Sequence, residues 1–211
     1  MPAEARRPPP EPMRHDRLMA PTFFFGAMSP YAWMAAERIS SLIPAAEWRP
    51  VFLGGVFKAN GRSSWALGDG RAAGMAECEA RARAHGLGAI SWPQRWPTND
   101  LAVARAMVYA KGSERLEPFA LAAMRMAFRE GADLAEAAVV LEAARRAGID
   151  AAELQAALTD PAVKDALRAA TDGAVALGVF GVPTVLVGGE LFWGDDRLDE
   201  AAAAAAALAT A

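Results

Sequence analysis

The chain has 211 residues, 54% apolar and 22% charged, which is ample for one folded domain and too apolar for a disordered chain. Its 22 basic and 25 acidic side chains leave a net charge of −3, so no basic face for nucleic acid or anionic lipid is expected. One cysteine, Cys78, and two histidines, His15 and His85, exclude a disulfide scaffold, a CxxC redox pair and a Cys/His metal cluster. Alanine makes up roughly a quarter of the residues, which favours helix.

Residues 1–20 carry prolines at positions 2, 8, 9, 10 and 12, so a disordered tail is predicted there. No apolar stretch is long enough for a signal peptide or membrane span. Glu4, Glu11 and Asp16 argue against a transit peptide, and cytoplasmic residence is the default expectation. Thr22, Phe23, Phe24 and Phe25 read as a buried strand. Ser29 and Pro30 then open a helix, serine as N-cap and proline at the first helical position. Apolar residues at 35, 39, 42 and 43 give it a buried stripe, and Pro44 ends it. Residues 48–53 read as a second strand, interrupted by Gly54 and Gly55, with Lys58 in the loop beyond. The unit is β-α-β, with a right-handed crossover.

Residues 70–178 read almost wholly as helix. Predicted stripes are Leu101, Ala104 and Val108; Leu121, Met124 and Phe128; Leu134, Ala138 and Leu141; and Val163, Leu167 and Ala170. Asp150 with Glu153, and Asp160 before Pro161, mark two helix starts. The run from Pro183 to Val187, the turn Gly188-Gly189 and the return from Glu190 to Trp193 predict a hairpin. A final helix follows Gly194, Asp195 and Asp196, and the alanine-rich residues 201–211 finish it. The order gives an α/β, thioredoxin-like fold with a large all-helical insertion. Residues 21–69 and 179–211 form the thioredoxin-like part, and 70–178 the insertion.

Three places can carry chemistry. Ser29, at a helix N-terminus beside unpaired N–H groups, suits an anion such as a ligand's thiolate. Ser29-Pro-Tyr-Ala32 stands where this fold usually has Cys-x-x-Cys, so dithiol exchange is excluded; a plain N-cap is the competing reading. At Val182 and Pro183 the fold often carries a cis proline, which would turn the Val182 backbone to a peptide-like ligand. A trans proline at a strand start is the alternative. Asp195 and Asp196 beside Trp193 can hold an ammonium group, or can simply cap a helix with Arg197 solvated. Elsewhere Cys78 reads as a small packing residue and His85 as a helix-end cap. The loop Trp92-Pro-Gln-Arg-Trp96-Pro lines an aromatic pocket or covers the core, and Lys58 either attracts an anionic substrate or is a surface lysine.

Taken together, Ser29-Pro-Tyr, Gly-Gly-Val-Phe-Lys58, Phe-Gly-Val-Pro-Thr184 and Phe-Trp-Gly-Asp-Asp-Arg-Leu198 resemble 2-hydroxychromene-2-carboxylate isomerases. That family is related to kappa-class glutathione transferases and to the DsbA-like thioredoxin fold, and the resemblance covers about residues 21–208. It implies a glutathione-dependent homodimeric enzyme acting on a small aromatic carboxylate by reversible thiolate addition. Ser29 would then hydrogen-bond the glutathione sulfur, and Val182 with Pro183 would hold its cysteinyl part. Trp193, Gly194, Asp195 and Asp196 would bind the γ-glutamyl end, while Lys58, Asn60 and Trp96 would lie near the substrate. The chain departs from the family at Gly26, where an aspartate is common, and at Ala32, where a second serine is common. After Lys58 the family asparagine is represented by Asn60 one register early or replaced by Arg62. The helix from Gly74 lacks the family's aromatic and acidic pattern. A kappa-like transferase and a non-catalytic thioredoxin-like binding module are the rival readings.

Overall fold

The computed structural model describes residues 20–210, so the tail expected over residues 1–20 lies outside the described residues except Ala20. A four-stranded sheet forms the centre, with strand order β2-β1-β3-β4. Strand β1 (Thr22–Phe25) runs parallel to β2 (Glu47–Pro50) and antiparallel to β3 (Thr184–Val187), which pairs in turn with β4 (Glu190–Trp193). All four β1 residues are buried, because this strand has a neighbour on each side and helices over it. Helix α1 (Pro30–Leu42) starts where predicted, with Ser29 as N-cap and Pro30 in the first turn.

The second strand is shorter than expected. It pairs only as far as Pro50, and Leu53 already begins helix α2 (Leu53–Ala59). The Val51 N–H still bonds the Phe25 carbonyl at 2.9 Å, but the Phe52 N–H is taken by Thr171 Oγ1 at 3.1 Å. Gly54 and Gly55 therefore lie inside a helix rather than interrupting a strand. A Cβ on Gly55 would meet Thr171 Cγ2 at 3.1 Å, so the small residue permits the close approach of α2 to α8. Lys58 correspondingly sits in the last turn of α2, not in a loop.

After a 3₁₀ turn (Trp65–Leu67) come α3 (Arg71–Ala84), α4 (Leu101–Gly112), α5 (Leu116–Glu130), α6 (Ala137–Arg146), α7 (Ala151–Ala157) and α8 (Pro161–Ala176). A second 3₁₀ turn (Asp195–Arg197) leads into α9 (Leu198–Ala209). Asp150 and Asp160 cap α7 and α8 with their carboxylates, as expected. Several stripes shift. On α4 the buried face is Val103, Ala104, Ala106, Met107 and Ala110, with Leu101 and Val108 only half-buried. On α6 it is Val140, Ala143 and Ala144, and Ala138 is exposed. Leu134 is fully buried but precedes α6, so counting the helical phase from it misplaces the face.

Helix α9 packs beside α1 and against β3 and β4, while α8 packs beside α2 and against β2. Helices α4 and α5 share one hydrophobic cluster with the strands, reached through Trp33 stacked on Phe128 at 5.7 Å. The 70–178 segment thus joins the sheet's core rather than enclosing a separate one. Among the described residues no helix is long and apolar enough to cross a membrane.

Candidate active site

The N-terminus of α1, the segment before β3, the turn after β4 and one face of α3 converge on a cleft of about 1100 Å³. Ser29 lies in its wall and is 5% exposed. Its Oγ accepts a hydrogen bond from the Ala32 N–H at 3.1 Å and donates to the Val182 carbonyl at 3.4 Å. The hydroxyl thus caps the helix and faces the segment before β3, so the N-cap and ligand readings are compatible. The Val182–Pro183 bond is cis. The Pro183 carbonyl accepts from the Gly194 N–H at 2.9 Å, tying that segment to the turn after β4.

Trp193, Gly194, Asp195 and Asp196 all line the cleft, but the two aspartates have different surroundings. The Asp195 side chain is 1% exposed and Asp196 is 61% exposed. Arg81 of α3 gathers both, with Nη1 at 2.9 Å from Asp195 and 3.5 Å from Asp196, and Nη2 at 2.7 Å from Glu77. His85 Nε2 approaches the other Asp195 oxygen at 3.4 Å, so this histidine does more than end a helix. Burial pushes the Asp195 carboxyl upward, and the Arg81 charge pulls it back only in part. Burial works against the Arg81 charge, yet Asp195, Asp196 and Glu77 more than offset it, so its pKa is raised. Of the pair, Asp196 is therefore the carboxylate exposed to the cleft.

Part of the wall is aromatic. Trp96 is buried, lines the cleft and donates its indole N–H to the Met28 carbonyl at 3.0 Å. It packs on Trp92 at 4.6 Å and Trp65 at 5.4 Å, and Tyr31 stands 6.3 Å from Trp65. The tryptophan loop hence both covers the core and lines the pocket. Tyr31 pairs with the Cys78 thiol, and burial followed by that contact raises its pKa well above the usual tyrosine range. Cys78 itself is fully buried, and burial pushes its thiol up to about 11, so it stays neutral.

Lys58 and Asn60, expected near a substrate, do not line this cleft. Lys58 is exposed on α2. The Asn60 amide donates to the Val56 carbonyl at 2.9 Å and the Val179 carbonyl at 3.4 Å, a structural tie at the end of α2. Arg62 is in the wall instead. Sequence reasoning missed Tyr31, Trp65 and Arg81. For Arg81, the Glu77 spacing of four residues was a visible helix pair, but its bond to a residue 114 positions away was not.

A family model described as DSBA-like thioredoxin domain matches residues 22–206. The chain belongs to that family. A 2-hydroxychromene-2-carboxylate isomerase from Sphingobium xenophagum is 28% identical over 184 residues, covering 84% of this chain and 93% of the relative. Among solved structures, a 2-hydroxychromene-2-carboxylate isomerase superposes with a TM-score of 0.81 at 21% identity, covering 90% of this chain and 96% of the other. A probable DsbA oxidoreductase from Streptomyces coelicolor superposes at 0.70 with 22% identity, covering 90% of each chain. This DSBA-like domain differs from a dithiol enzyme at its first helix, where Ser29 and Ala32 leave no thiol.

Proposed function

We propose that the protein is a glutathione-dependent isomerase acting on an aromatic carboxylate of the 2-hydroxychromene-2-carboxylate type. The observation that carries this reading is Ser29 Oγ at the N-terminus of α1, facing the Val182 carbonyl inside a cleft with an aromatic wall. The similarity to the Sphingobium relative over most of both chains supports the same reaction class. The residues present fit a thiol tripeptide. The chain's one thiol is buried and neutral, so a reacting thiol has to arrive with a ligand.

Glutathione bound here would supply a thiolate for reversible addition to a conjugated carbonyl compound. Ser29 holds that sulfur's charge by turning its hydroxyl proton from the Val182 carbonyl, and the positive end of α1 adds to the effect. The Val182 backbone offers peptide groups to the cysteinyl portion, and Asp196 accepts the γ-glutamyl ammonium group. Asp195 keeps Arg81 in place beneath it. The wall of Trp65 and Trp96 takes a flat ring and excludes water from its faces. A serine serves here because its hydroxyl can hydrogen-bond the thiolate and let it leave again, and it offers no sulfur that an oxidant could couple to glutathione as a mixed disulfide.

Ser29→Ala tests the reading. Calorimetry should show glutathione binding largely retained, while turnover of the chromene carboxylate falls roughly 10- to 100-fold, the worth of one charge-assisted hydrogen bond. The thiol pKa of bound glutathione should rise in the variant. Absence of glutathione binding at millimolar ligand would sink the proposal. Turnover of a generic aryl halide in preference to the chromene carboxylate would reassign the protein as a transferase.

A further inference from the structure

Three arginines line the cleft: Arg62, Arg81 and Arg197. Two are matched by carboxylates. Arg81 holds Glu77, Asp195 and Asp196, and Arg197 holds Glu200 at 2.6 Å. Arg62 has neutral partners only, and among the described residues no carboxylate lies within ion-pair distance of it. Its Nη1 donates to the Phe180 carbonyl at 3.1 Å. Its guanidinium carbon lies 5.2 Å from the Phe180 ring centroid and 5.4 Å from that of Trp193, rings that themselves pack at 4.7 Å. One backbone acceptor and two aromatic rings therefore orient a full positive charge at the cleft wall. A guanidinium has five N–H donors, and the carbonyl uses one. The remaining donors match the two oxygens of a carboxylate.

We propose that Arg62 is a specificity-determining anchor for an ionised carboxylate carried by a cleft ligand. The proposal rests on reading the cleft as a site for a thiol peptide and an aromatic acid, and either could bring the carboxylate. The cleft is then polarised. Exposed Asp196 beside Arg81 favours an ammonium group at one place, and Arg62 beside Trp193 and Phe180 favours an anion at another. A carboxylate is a better match than a phosphate dianion, because a single unmatched arginine supplies only one positive charge.

The test is a set of calorimetric titrations of the full chain and Arg62→Gln, at fixed ionic strength. The probes are trans-cinnamate with its uncharged amide, and glutathione with its glycyl monoethyl ester. In the unmodified protein, one acid is expected to bind roughly tenfold tighter than its neutral counterpart. That preference should vanish in Arg62→Gln, survive in part in Arg62→Lys, and stay intact in Arg168→Gln, a charge-matched change on α8. Loss confined to the cinnamate pair identifies the aromatic acid as the source, and loss confined to the glutathione pair identifies the glycyl end. A preference absent from the unmodified protein, or unchanged in Arg62→Gln for both pairs, overturns the proposal. Cinnamate is titrated without glutathione, so failure of glutathione to bind would remove the functional reading without deciding the role of Arg62. Because Arg62 is exposed, its variants should fold, and a thermal melt of each checks that they do.

Discussion

Asp100 stands at the start of α4, lines the cleft and is 6% exposed, with Oδ2 lacking any hydrogen-bond partner. It does not cap the helix; Asn99 Oδ1 does so by accepting from the Leu101 N–H at 3.0 Å. Burial pushes the Asp100 carboxyl from its ordinary value of 3.8 up to about 6. A carboxyl raised on folding favours the fold fully below its unfolded value, and that contribution disappears as pH climbs through the folded one. Asp100→Asn should therefore match the parent near pH 4 and exceed its stability at pH 7, by at most about 3 kcal/mol. Denaturant midpoints across that range check it, and a difference that stays constant with pH refutes it. At this scale the sequence was partly legible. Ser29 and the Val182–Pro183 step were readable because capping and fold position are local signals. The division of labour between Asp195 and Asp196 was not, because burial by α3 decides it and nothing near position 195 announces Arg81.

Among the elements, the β3–β4 hairpin followed directly from its sequence. Gly188 and Gly189 both have positive φ, +57° and +91°, as a tight reversal between twisted strands requires. A Cβ on Gly188 would lie 2.7 Å from Leu208 Cδ1 of α9, whereas one on Gly189 meets nothing. Gly188→Ala should cost about 1–2 kcal/mol, part backbone and part contact. Adding Leu208→Ala should recover the contact part in Gly188→Ala and recover nothing in Gly189→Ala. Thermal unfolding of the four proteins distinguishes the two contributions, and equal recovery at both sites would refute the contact. The β2–α2 junction was misread for the opposite reason. Two valines, two phenylalanines and a leucine around paired glycines suggest an interrupted strand, and only Thr171, far along the chain, takes the Phe52 N–H at the start of the helix.

Over the whole molecule, α1 ties the sheet to the inserted helices. Glu37 on α1 receives both forks of Arg125 on α5, at 2.8 and 2.6 Å, and the Trp33 indole N–H at 2.9 Å. Burial alone would raise the Glu37 pKa, but the Arg125 and Trp33 bonds outweigh it and the pKa falls. A double-mutant cycle with Glu37→Gln and Arg125→Gln should give a coupling of about 1 kcal/mol, modest because Arg125 is half-exposed. A depressed carboxylate stabilises above its unfolded pKa, near 4.5, and loses that contribution as pH falls through the folded value. The coupling should therefore fade in acid, and a coupling that is flat with pH would contradict the geometry. The element order was legible at this scale because strand and helix periodicities differ sharply. The sharing of one core was not, since a stripe shows that a helix buries a face without naming its partner.

Cys78 has a use that does not depend on any ligand. It is the sole thiol in 211 residues, wholly enclosed where α3 meets Tyr31. A thiol reagent in solution can reach it only when α3 lifts from the wall. The pace of its labelling in the native protein is therefore a clock for that local opening, ticking separately from global unfolding. The molecule carries its own single-site reporter of how often the wall beside Ser29 comes apart.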